Sequence, residues 1–367
     1  MDDDFLYRIG ITLIPGVGSV SAKSLIAHCG SAEAVFKEKK SALQKVPGIG
    51  IKSAKSIAEQ SVLTRAENEL EFIVREKVTP LYYLNKDYPK RLKLCEDGPV
   101  VLYQKGVTQL NDQRALAMVG SRNATEYGKS FCRDFVKSLQ PFKPLIVSGL
   151  AYGIDISSHK AALQNGLPTV AALGHGLDMV YPALHKKTAE KILEKGGSLL
   201  SEFISGTAPD RENFPKRNRI IAGMSDATII VEAARKGGAL ITAEIANTYN
   251  RDVFAVPGRL GDTFSEGCNY LIKINKAALI SGVKDLQYIL GWEEATVKIP
   301  PQNQLFVELD EPEKELQRIL MEAQGKMELD HIGYQAKWPI GKVLTVLMSM
   351  ELKGAVQSHP GKIYSLR

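Results

Sequence analysis

Short apolar segments alternate with helical patterns over much of the chain, and this alternation limits the folds that it can adopt. Apolar strands are predicted at Ala115–Val119, Leu145–Val147, Thr169–Leu173, Ser198–Ser201, Thr228–Val231, Val253–Val256 and Ala277–Ile280. Helical patterns lie between them, for example at Lys129–Leu139, Ser157–Asn165 and Lys186–Lys195. Such alternation predicts an α/β fold with an open, doubly wound parallel sheet that helices cover on both faces.

Glycine-rich turns follow five of these strands. They are Gly120-Ser121-Arg122, Ser148–Asp155 with Tyr152 at its centre, Gly174-His175-Gly176, Gly237-Gly238 and Pro257-Gly258. Ligands bind at the carboxyl ends of the strands in such sheets, so we expect the turns to line one rim. Backbone N–H groups and the planar charge of Arg122 would face a ligand there. Each turn alone could be ordinary turn chemistry. None is a dinucleotide fingerprint, so no cofactor is predicted.

A cluster of cations precedes the fifth strand. Arg211, Lys216, Arg217 and Arg219 fall within nine residues, with Phe214 among them. The apolar run that follows indicates that these side chains lie at the start of a helix, where free N–H groups and the helix dipole attract anions. We therefore predict a phosphate-binding surface formed by Lys216, Arg217 and Arg219, with Phe214 placed to stack on a base. A solvated, charged helix end is the alternative interpretation.

The N-terminal segment contains a repeat. Ile14–Gly18 and Val46–Gly50 share an apolar-Pro-Gly-apolar-Gly pattern, each with an alanine four residues further on. The glycines allow tight turns and the alanines allow close helix packing, so the pattern predicts two helix-hairpin-helix motifs. Such hairpins contact DNA backbone in many proteins, and the residues that would do so here are Gly16, Gly18, Gly48, Gly50 and Lys52. A structural or partner-binding role is the alternative.

The C-terminal segment is predicted to be a separate small domain. Lys298–Glu313 contains three prolines and reads as a linker. Helical patterns follow at Leu316–Ala323, Leu329–Gln335 and Ile340–Met350, and a hairpin at Val356–His359 and Lys362–Leu366. Three helices and a hairpin predict a winged-helix module. Its expected recognition helix has few cations near it, so contact with DNA and contact with a protein partner both remain open.

Composition sets the remaining limits. The 367 residues carry a formal net charge of +6, which permits a nucleic-acid partner without requiring one. The four cysteines are far apart, without metal-ligand spacing, and the N-terminus resembles no secretory signal. No apolar run approaches the length of a membrane span. We expect a cytoplasmic protein that has no metal site and does not associate with a membrane.

Several ionisable residues could suggest catalysis. His159, His175 and His185 have no nucleophile tied to them by sequence, so we interpret them as structural. Asp155, Asp178, Glu202 and Glu232 near the rim could hold a metal, but loop orientation or contacts with base edges are the preferred roles. We therefore predict that the chain is not an enzyme.

The motifs together resemble one family, the DNA-processing protein A (DprA/Smf) family. The resemblance extends from about residue 83 to residue 290 and rests on these motifs: Val119–Arg122, Ser148–Asp155 with His159, Gly174–Asp178 with Tyr181-Pro182, Ser201-Glu202, Phe214–Gly223 and Gly237–Glu244. It implies an extended Rossmann-like core that binds single-stranded DNA. It further implies that the protein protects incoming DNA in natural transformation and helps to load the recombinase RecA.

The resemblance also assigns roles to residues. In the family, the arginine of the Gly-Ser-Arg turn and the basic Phe-Pro-x-Arg-Asn-Arg stretch hold the strand, which here implies Arg122 and Phe214 with Lys216, Arg217, Asn218 and Arg219. The rim turns at Gly120-Ser121, Gly174-His175 and Gly237-Gly238 are expected to join them. Tyr152 stands where the family often has a basic residue, so it could stack on a base but brings no charge. A homodimer through about Val253–Leu290 is also implied.

These observations predict four parts: tandem hairpins over 1–65, a Rossmann-like core over 66–292, a linker over 293–312 and a winged-helix domain over 313–367. Two other functions remain open. Gly237-Gly238 with Thr242 and Glu244 loosely resembles nucleotide-hydrolysing relatives of this fold, which would use the same rim. A purely structural adaptor is the third possibility.

Overall fold

The computed structural model describes residues 4–111, 113–293, 309–323, 326–359 and 361–366. The chain divides into two compact units, Met1–Ala295 and Thr296–Arg367. Most of the predicted linker lies outside the described residues. None of the helices in the described ranges is long and apolar enough to cross a bilayer.

Six helices form the N-terminal part of the first unit. They are α1 (Asp4–Thr12), α2 (Ser19–Cys29), α3 (Ala32–Lys37), α4 (Lys40–Leu43), α5 (Ile51–Glu59) and α6 (Leu63–Arg75). The turns before α2 and α5 are the two predicted hairpins. Gly16 and Gly48 have φ angles of 77° and 83° there, and L side chains rarely adopt this backbone conformation. The hairpins face each other, because Gly16 lies against Ser53 and Gly48 against Ser21.

The segment after the hairpins begins with a helix that belongs to the N-terminal part of the first unit. Helix α6 runs through the predicted boundary at residue 65 and packs against α1. Ala66, Phe72 and Ile73 are among its buried positions. Their spacing follows one face of a helix, but the many charged residues between them obscure the pattern in the sequence.

A nine-stranded sheet forms the centre of the first unit, in the order β1-β2-β6-β5-β4-β3-β7-β8-β9. The strands are β1 (Thr79–Tyr82), β2 (Val101–Gly106), β3 (Ala115–Val119), β4 (Leu145–Ser148), β5 (Thr169–Leu173), β6 (Ser198–Ser201), β7 (Ala227–Ile230), β8 (Asp252–Ala255) and β9 (Ala278–Leu279). Strands β3 to β9 pair in parallel, as predicted. The sheet is nevertheless mixed, because β2 joins β6 antiparallel and β1 joins β2 antiparallel.

Helices cover both faces of this sheet. They are α7 (Lys90–Lys93), α8 (Glu126–Ser138), α9 (Ile154–Gln164), α10 (Lys186–Glu194), α11 (Asn213–Gly223), α12 (Gly238–Thr248), α13 (Glu266–Lys273) and α14 (Val283–Leu290). Residues of β3 alternate between the two faces: Ala115, Ala117 and Val119 pack with α11 and α12, whereas Leu116 and Met118 pack with α8 and α9. The doubly wound, Rossmann-like architecture is confirmed.

The strand order reverses next to β3. The chain passes from β3 through β4 and β5 to β6 on one side, and then returns to place β7 on the other side of β3. Loops that leave β3 and β7 therefore diverge, and they open a crevice at the carboxyl ends of the strands. The fold thus places the turns at Gly120 and Gly237 on either side of one crevice.

The second unit has the predicted winged-helix architecture. Its helices are α15 (Glu311–Glu322), α16 (Leu329–Ala336) and α17 (Ile340–Leu352). Strands β10 (Lys326–Glu328), β11 (Val356–His359) and β12 (Ile363–Leu366) pair antiparallel in the order β10-β12-β11. Leu316, Ile332, Val343 and Leu347 are among the residues of its own small core.

Candidate nucleic-acid interface

A cavity of about 990 Å³ occupies the crevice between β3 and β7, and we call it the rim cavity. The turn after β3, the turn after β4, the start of α11 and the start of α12 line it. Of the residues predicted from sequence, it brings together Gly120, Ser121, Arg122, Phe214, Arg217, Asn218, Gly237 and Gly238. The predicted convergence of glycine turns on one rim is therefore observed for the turns after β3 and β7, with Ala151 and Asp155 from the turn after β4.

Arg122 and Phe214 are in contact in the lining of the rim cavity. The guanidinium carbon of Arg122 lies 5.1 Å from the centroid of the Phe214 ring, within the range of a cation–π contact. Tyr181 lies on another side of Phe214, with 6.1 Å between the ring centroids. Arg122 is exposed and Phe214 is partly buried. An exposed cation thus lies over an aromatic ring, and a base that stacks on this face of Phe214 must displace Arg122 from it.

Arg217 supports the rim cavity from below and is only 3% exposed. Its Nη1 donates a hydrogen bond of 2.7 Å to the carbonyl of Ala172 in β5. A side chain at Gly149 would overlap this guanidinium, so the turn after β4 requires glycine there. Arg217 was predicted to be a cation that holds the strand directly. The structure instead buries the side chain beneath the turn.

The buried charge of Arg217 is balanced by Asp155 at the start of α9. Burial raises the pKa of the Asp155 carboxyl, while the charge of Arg217 and backbone N–H groups in the turn after β4 oppose that shift. Burial lowers the pKa of Arg217, and the neighbouring charge of Arg122 acts in the same direction. The described residues that line the cavity therefore carry an excess of positive charge, because Asp155 is the one carboxylate among them and the cations are Arg122, Arg211, Arg217 and Lys236.

The start of α12 forms the opposite wall of the rim cavity. Gly237 and Gly238 are exposed there, and none of the described side chains caps the first N–H groups of the helix. Asn218 contacts this wall, since its Nδ2 lies 3.4 Å from the carbonyl oxygen of Gly238. Uncapped N–H groups at a helix start are donors for an anionic ligand.

Three predicted site residues lie next to the rim cavity but do not line it. Gly174 packs against the Phe214 ring, and His175 is buried, with its Nε2 accepting a hydrogen bond of 3.2 Å from the N–H of Tyr181. Burial lowers the pKa of His175, so it positions the Tyr181 loop as a neutral ring. Tyr152 is 44% exposed and packs edge-on against His185 at 4.9 Å.

The run from Phe214 to Arg219 does not face one rim, which corrects the prediction of a single basic surface. Phe214, Arg217 and Asn218 face the rim cavity, whereas Lys216 and Arg219 face a second cavity of about 560 Å³ between the first hairpin and the core. We call this the hairpin cleft. The reason is helical periodicity, because residues three or four apart share a face and consecutive residues do not.

Arg219 is held in ion pairs at the hairpin cleft. It pairs with Glu202, and its Nη1 lies 3.7 Å from Oδ2 of Asp97. Burial alone would lower the pKa of Arg219, but Glu202 and Asp97 reverse the shift and raise it. A direct role of Arg219 in holding a strand stays a prediction. Its visible role is to connect α11 with the loop before β2.

The hairpin residues predicted to contact DNA are not equivalent. Gly18 and the neighbouring Val17 of the first hairpin line the hairpin cleft, and none of the described residues of the second hairpin does. Burial does not distinguish the two hairpins, because Val17 and its counterpart Ile49 are 8% and 6% exposed. Gly48, Gly50 and Lys52 of the second hairpin are exposed, and Ile51 beside them is 70% exposed. The first hairpin is therefore docked on the core, whereas the second faces away from the cleft.

The carboxylates of the hydrolase alternative are engaged elsewhere. Glu232 is buried and accepts hydrogen bonds from the backbone N–H (2.9 Å) and the hydroxyl of Thr125, so it fixes the start of α8. Glu244 pairs with Lys276 at 2.6 Å. Within the described ranges no group of three or more histidine, cysteine, aspartate or glutamate residues could hold a metal ion.

Three residues of the rim cavity were not in the predicted site. Arg211 and Lys236 add cations to it, and Tyr181 adds a second aromatic ring. Arg211 belongs to the basic run that the sequence shows, and Lys236 directly precedes the Gly237-Gly238 turn. Adjacency to a predicted glycine turn would therefore have found Lys236. Only the fold brings Tyr181 beside Phe214.

The second unit presents a recognition-type helix with an apolar exposed face. Met348 and Leu352 of α17 are 61% and 90% exposed, and Tyr334 on α16 is 83% exposed. The Nζ of Lys342 lies over the Trp338 ring at 3.9 Å. This face offers few cations for phosphates among the residues described, so its geometry does not favour DNA over a protein partner.

The comparisons with known proteins agree with this architecture. A family model described as DNA recombination-mediator protein A matches residues 79–290. A model described as a SAM-like helix-hairpin-helix tandem matches residues 10–61, and one described as a DprA winged helix domain matches residues 306–362.

Curated relatives and solved structures give the same picture. Protein Smf of Escherichia coli is 37% identical over 291 residues, which cover 76% of this chain and 75% of the relative. Protein Smf of Synechocystis is 32% identical, with 98% of both chains covered. The X-ray structure of DNA processing protein A from Streptococcus pneumoniae has a TM-score of 0.66 at 30% identity and covers 80% of this chain and 99% of that one. The structure of the Helicobacter pylori protein, reported for its single-stranded DNA binding mode, has a TM-score of 0.53 at 30% identity, with 58% and 95% covered.

Proposed function

Because the chain belongs to the DNA recombination-mediator protein A (DprA/Smf) family, we propose that it binds single-stranded DNA in the rim cavity. The observation that carries the proposal is the contact between Arg122 and Phe214 in the rim cavity, which is supported from below by the buried cation Arg217. Single-strand binders combine a cationic groove for the backbone with aromatic faces for the bases. Here both elements lie within 5.1 Å of each other.

The cavity separates these two tasks. Arg122, Arg211 and Lys236 supply cations for phosphates, and the uncapped N–H groups at Gly237 and Gly238 supply further donors. Phe214 and Tyr181 supply surfaces for bases. Phosphates carry no sequence information, so binding is expected to depend weakly on sequence and strongly on salt.

We further propose the cellular role that the family resemblance implies. The protein would protect incoming single strands during natural transformation and help RecA to replace it on them. The family description as a recombination mediator supports this role. The hydrolase alternative lacks support from the site, since Glu232 and Glu244 are engaged in structural contacts.

We also propose that the protein forms a homodimer through α13, β9 and α14. Strand β9 is the last strand at its edge of the sheet. Tyr270, Ile274, Leu279, Tyr288 and Ile289 are exposed apolar residues there, with Tyr288 reaching 90%. A group of this kind at a sheet edge is typical of an interface between subunits.

A salt titration tests the DNA proposal. The full chain is titrated onto fluorescent single-stranded and duplex oligonucleotides of equal length at several salt concentrations. Arg122→Ala should weaken single-strand binding and lower the log–log salt slope by about 0.7, the value for one lost phosphate contact. Lys137→Ala, which removes an exposed cation in the last turn of α8, is the matched control and should change neither.

The opposite result is equally clear. Binding that Arg122→Ala leaves intact would place the DNA site elsewhere on the molecule. Steady release of product from a nucleotide, abolished by Glu244→Gln, would favour the hydrolase. Absence of both activities would leave the structural adaptor.

A further inference from the structure

The hairpin cleft combines apolar walls with a size that suits a nucleotide. Its volume of about 560 Å³ lies within the range of roughly 300–1,000 Å³ that is usual for small-molecule sites. Val17 of the first hairpin, Phe203 after β6 and Pro215 of α11 line its walls. These side chains come from three separate parts of the chain. The cleft therefore exists only because the hairpin region is docked on the core.

Most of the charge at this cleft is already paired. Arg219 is held by Glu202 and Asp97, and Tyr249 donates a hydrogen bond to Asp97. Among the described residues, Nε of Arg219 and Oε1 of Glu202 are buried and lack a hydrogen-bond partner. The ion pairs of Arg219 thus leave one donor, Nε of Arg219, and one acceptor, Oε1 of Glu202, without a hydrogen bond to any described residue near the cleft.

Lys216 is the exposed cation of the hairpin cleft. It lines the cleft and has no ion-pair partner within the part of the chain that the structure describes. Its charge acts on Glu202, where it opposes the rise in pKa that burial causes. An anionic group at the cleft would have Lys216 available to it, together with the backbone of Gly18 and the hydroxyl of Ser19.

The hairpin cleft adjoins the rim cavity. Pro215 lines both of them, with Phe214 facing the rim cavity on one side and Lys216 facing the hairpin cleft on the other. One turn of α11 thus separates the two. A strand whose base lies on Phe214 need cross only this turn to reach Lys216.

We propose that the hairpin cleft is a second nucleotide subsite for the same single strand. This inference rests on the proposed function of the rim cavity. The strand crosses α11 at Pro215, a phosphate lies at Lys216, and the next base packs between Val17 and Phe203. The first hairpin then serves as a wall of a single-strand subsite, and only the second hairpin remains free for other partners.

Two glycines provide a matched pair of variants. Gly18 and Gly50 each precede a helix after a hairpin, with φ and ψ of −85° and 177° for Gly18 and −83° and 171° for Gly50. A Cβ atom added at either position meets no atom of the described residues within 4 Å. Gly18 lines the cleft and Gly50 does not. Gly18→Glu adds a carboxylate to the lining of the cleft to which Lys216 also belongs, whereas Gly50→Glu adds the same charge outside the cleft.

The assay measures the affinity of the full chain for oligo-dT strands of increasing length. For the unmodified protein, affinity should rise when the strand becomes long enough to enter the hairpin cleft. Gly18→Glu should remove this increment, a loss of roughly 5- to 150-fold if one stacked base is lost, and should leave short strands unaffected. Gly50→Glu should behave as the unmodified protein. Lys216→Ala should lower the salt slope by about 0.7 on long strands only.

Two outcomes would overturn the subsite. Equal losses in both glycine variants would mean that the hairpins contact DNA as a symmetrical pair. Unchanged binding by Gly18→Glu and Lys216→Ala at every length would mean that the strand stays in the rim cavity. Failure of the proposed function itself would give a different result. In that case Arg122→Ala would leave the binding of short strands unchanged. Thermal unfolding of each variant controls for loss of fold.

Discussion

Replacing Phe214 separates a stacking role from a packing role. The ring is partly buried, and it packs against the backbone of Gly174 on one side and carries Arg122 on the other. Loss of one stacked base costs about 1–3 kcal/mol, so Phe214→Ala should weaken single-strand binding about 5- to 150-fold. Truncation of a fully buried phenylalanine to alanine lowers the free energy of unfolding by about 3–5 kcal/mol. Because this ring is only partly buried, its truncation should lower the free energy of unfolding by less, about 2 kcal/mol.

Phe214→Leu distinguishes the two contributions. Leucine keeps an apolar side chain against Gly174 but has no aromatic face. Stability should therefore recover most of the way to the unmodified value, while affinity should remain as low as in Phe214→Ala. Fluorescence anisotropy with a labelled single strand measures affinity, and urea unfolding measures stability. The salt slope should not change in either variant, because no phosphate contact is lost.

Arg122→Ala completes the comparison through a double-mutant cycle. Arg122 and Phe214 are in contact, so their effects on affinity should not add. Arg122→Ala alone should lower the salt slope, and the double variant should show the same slope. If Phe214→Leu binds single strands as tightly as the unmodified protein, the stacking role is refuted. Phe214 would then be a packing residue beneath the rim cavity, and Tyr181 would be the remaining aromatic surface.

Three further predictions concern the support of the site and the assembly. Gly149→Ala forces the Arg217 guanidinium out of its buried position, so it should lower the free energy of unfolding by about 3–5 kcal/mol in urea. The control is Gly237→Ala, whose added methyl meets no atom of the described residues. This variant should lower the free energy of unfolding by less than about 1 kcal/mol. Burial lowers the pKa of His159 to about 3, so the folded state binds fewer protons than the unfolded state between about pH 3 and 6.5. The contribution of neutral His159 to the free energy of unfolding should be lost as the pH falls through that window. His159→Gln should therefore flatten this part of the plot of unfolding free energy against pH. Leu279→Arg should convert the proposed dimer to a monomer in sedimentation velocity; an unchanged sedimentation coefficient in a folded variant would exclude β9 from the interface.

The sheet could be predicted because its signals are local. Each parallel strand is a short, buried apolar run, and each run appears directly in the sequence at nearly its observed bounds. Strands β1 and β2 are harder to place. The apolar run that marks β2 ends at Tyr103, although the strand continues to Gly106, and nothing local indicates that it pairs antiparallel with β6. That pairing depends on contacts between residues far apart in the chain.

The rim cavity could be predicted in part for the same reason. A glycine turn after a parallel strand lies at the rim by topology alone, which placed Gly120 and Gly237 correctly. The basic run of α11 was assigned to the rim as a whole, although the helical spacing of its residues divides them between different faces. Burial of Arg217 has no signal in α11 at all, because it depends on the absence of a side chain at Gly149 in another loop.

Helix α11 explains why one basic run serves three purposes. Phe214 faces the rim cavity, and Arg217 lines the same cavity from beneath Gly149 while it donates to Ala172 in β5. Lys216 and Arg219 face the hairpin cleft. Arginine suits position 217 because its planar group lies flat beneath Gly149 while it donates to Ala172, and a lysine ammonium has no such flat fork. The ion pairs of Arg219 then hold the loop before β2 beside the hairpin region. Among the described cations of this helix only Lys216 is both exposed and unpaired, so only the loss of Lys216 should be read as the loss of one phosphate contact.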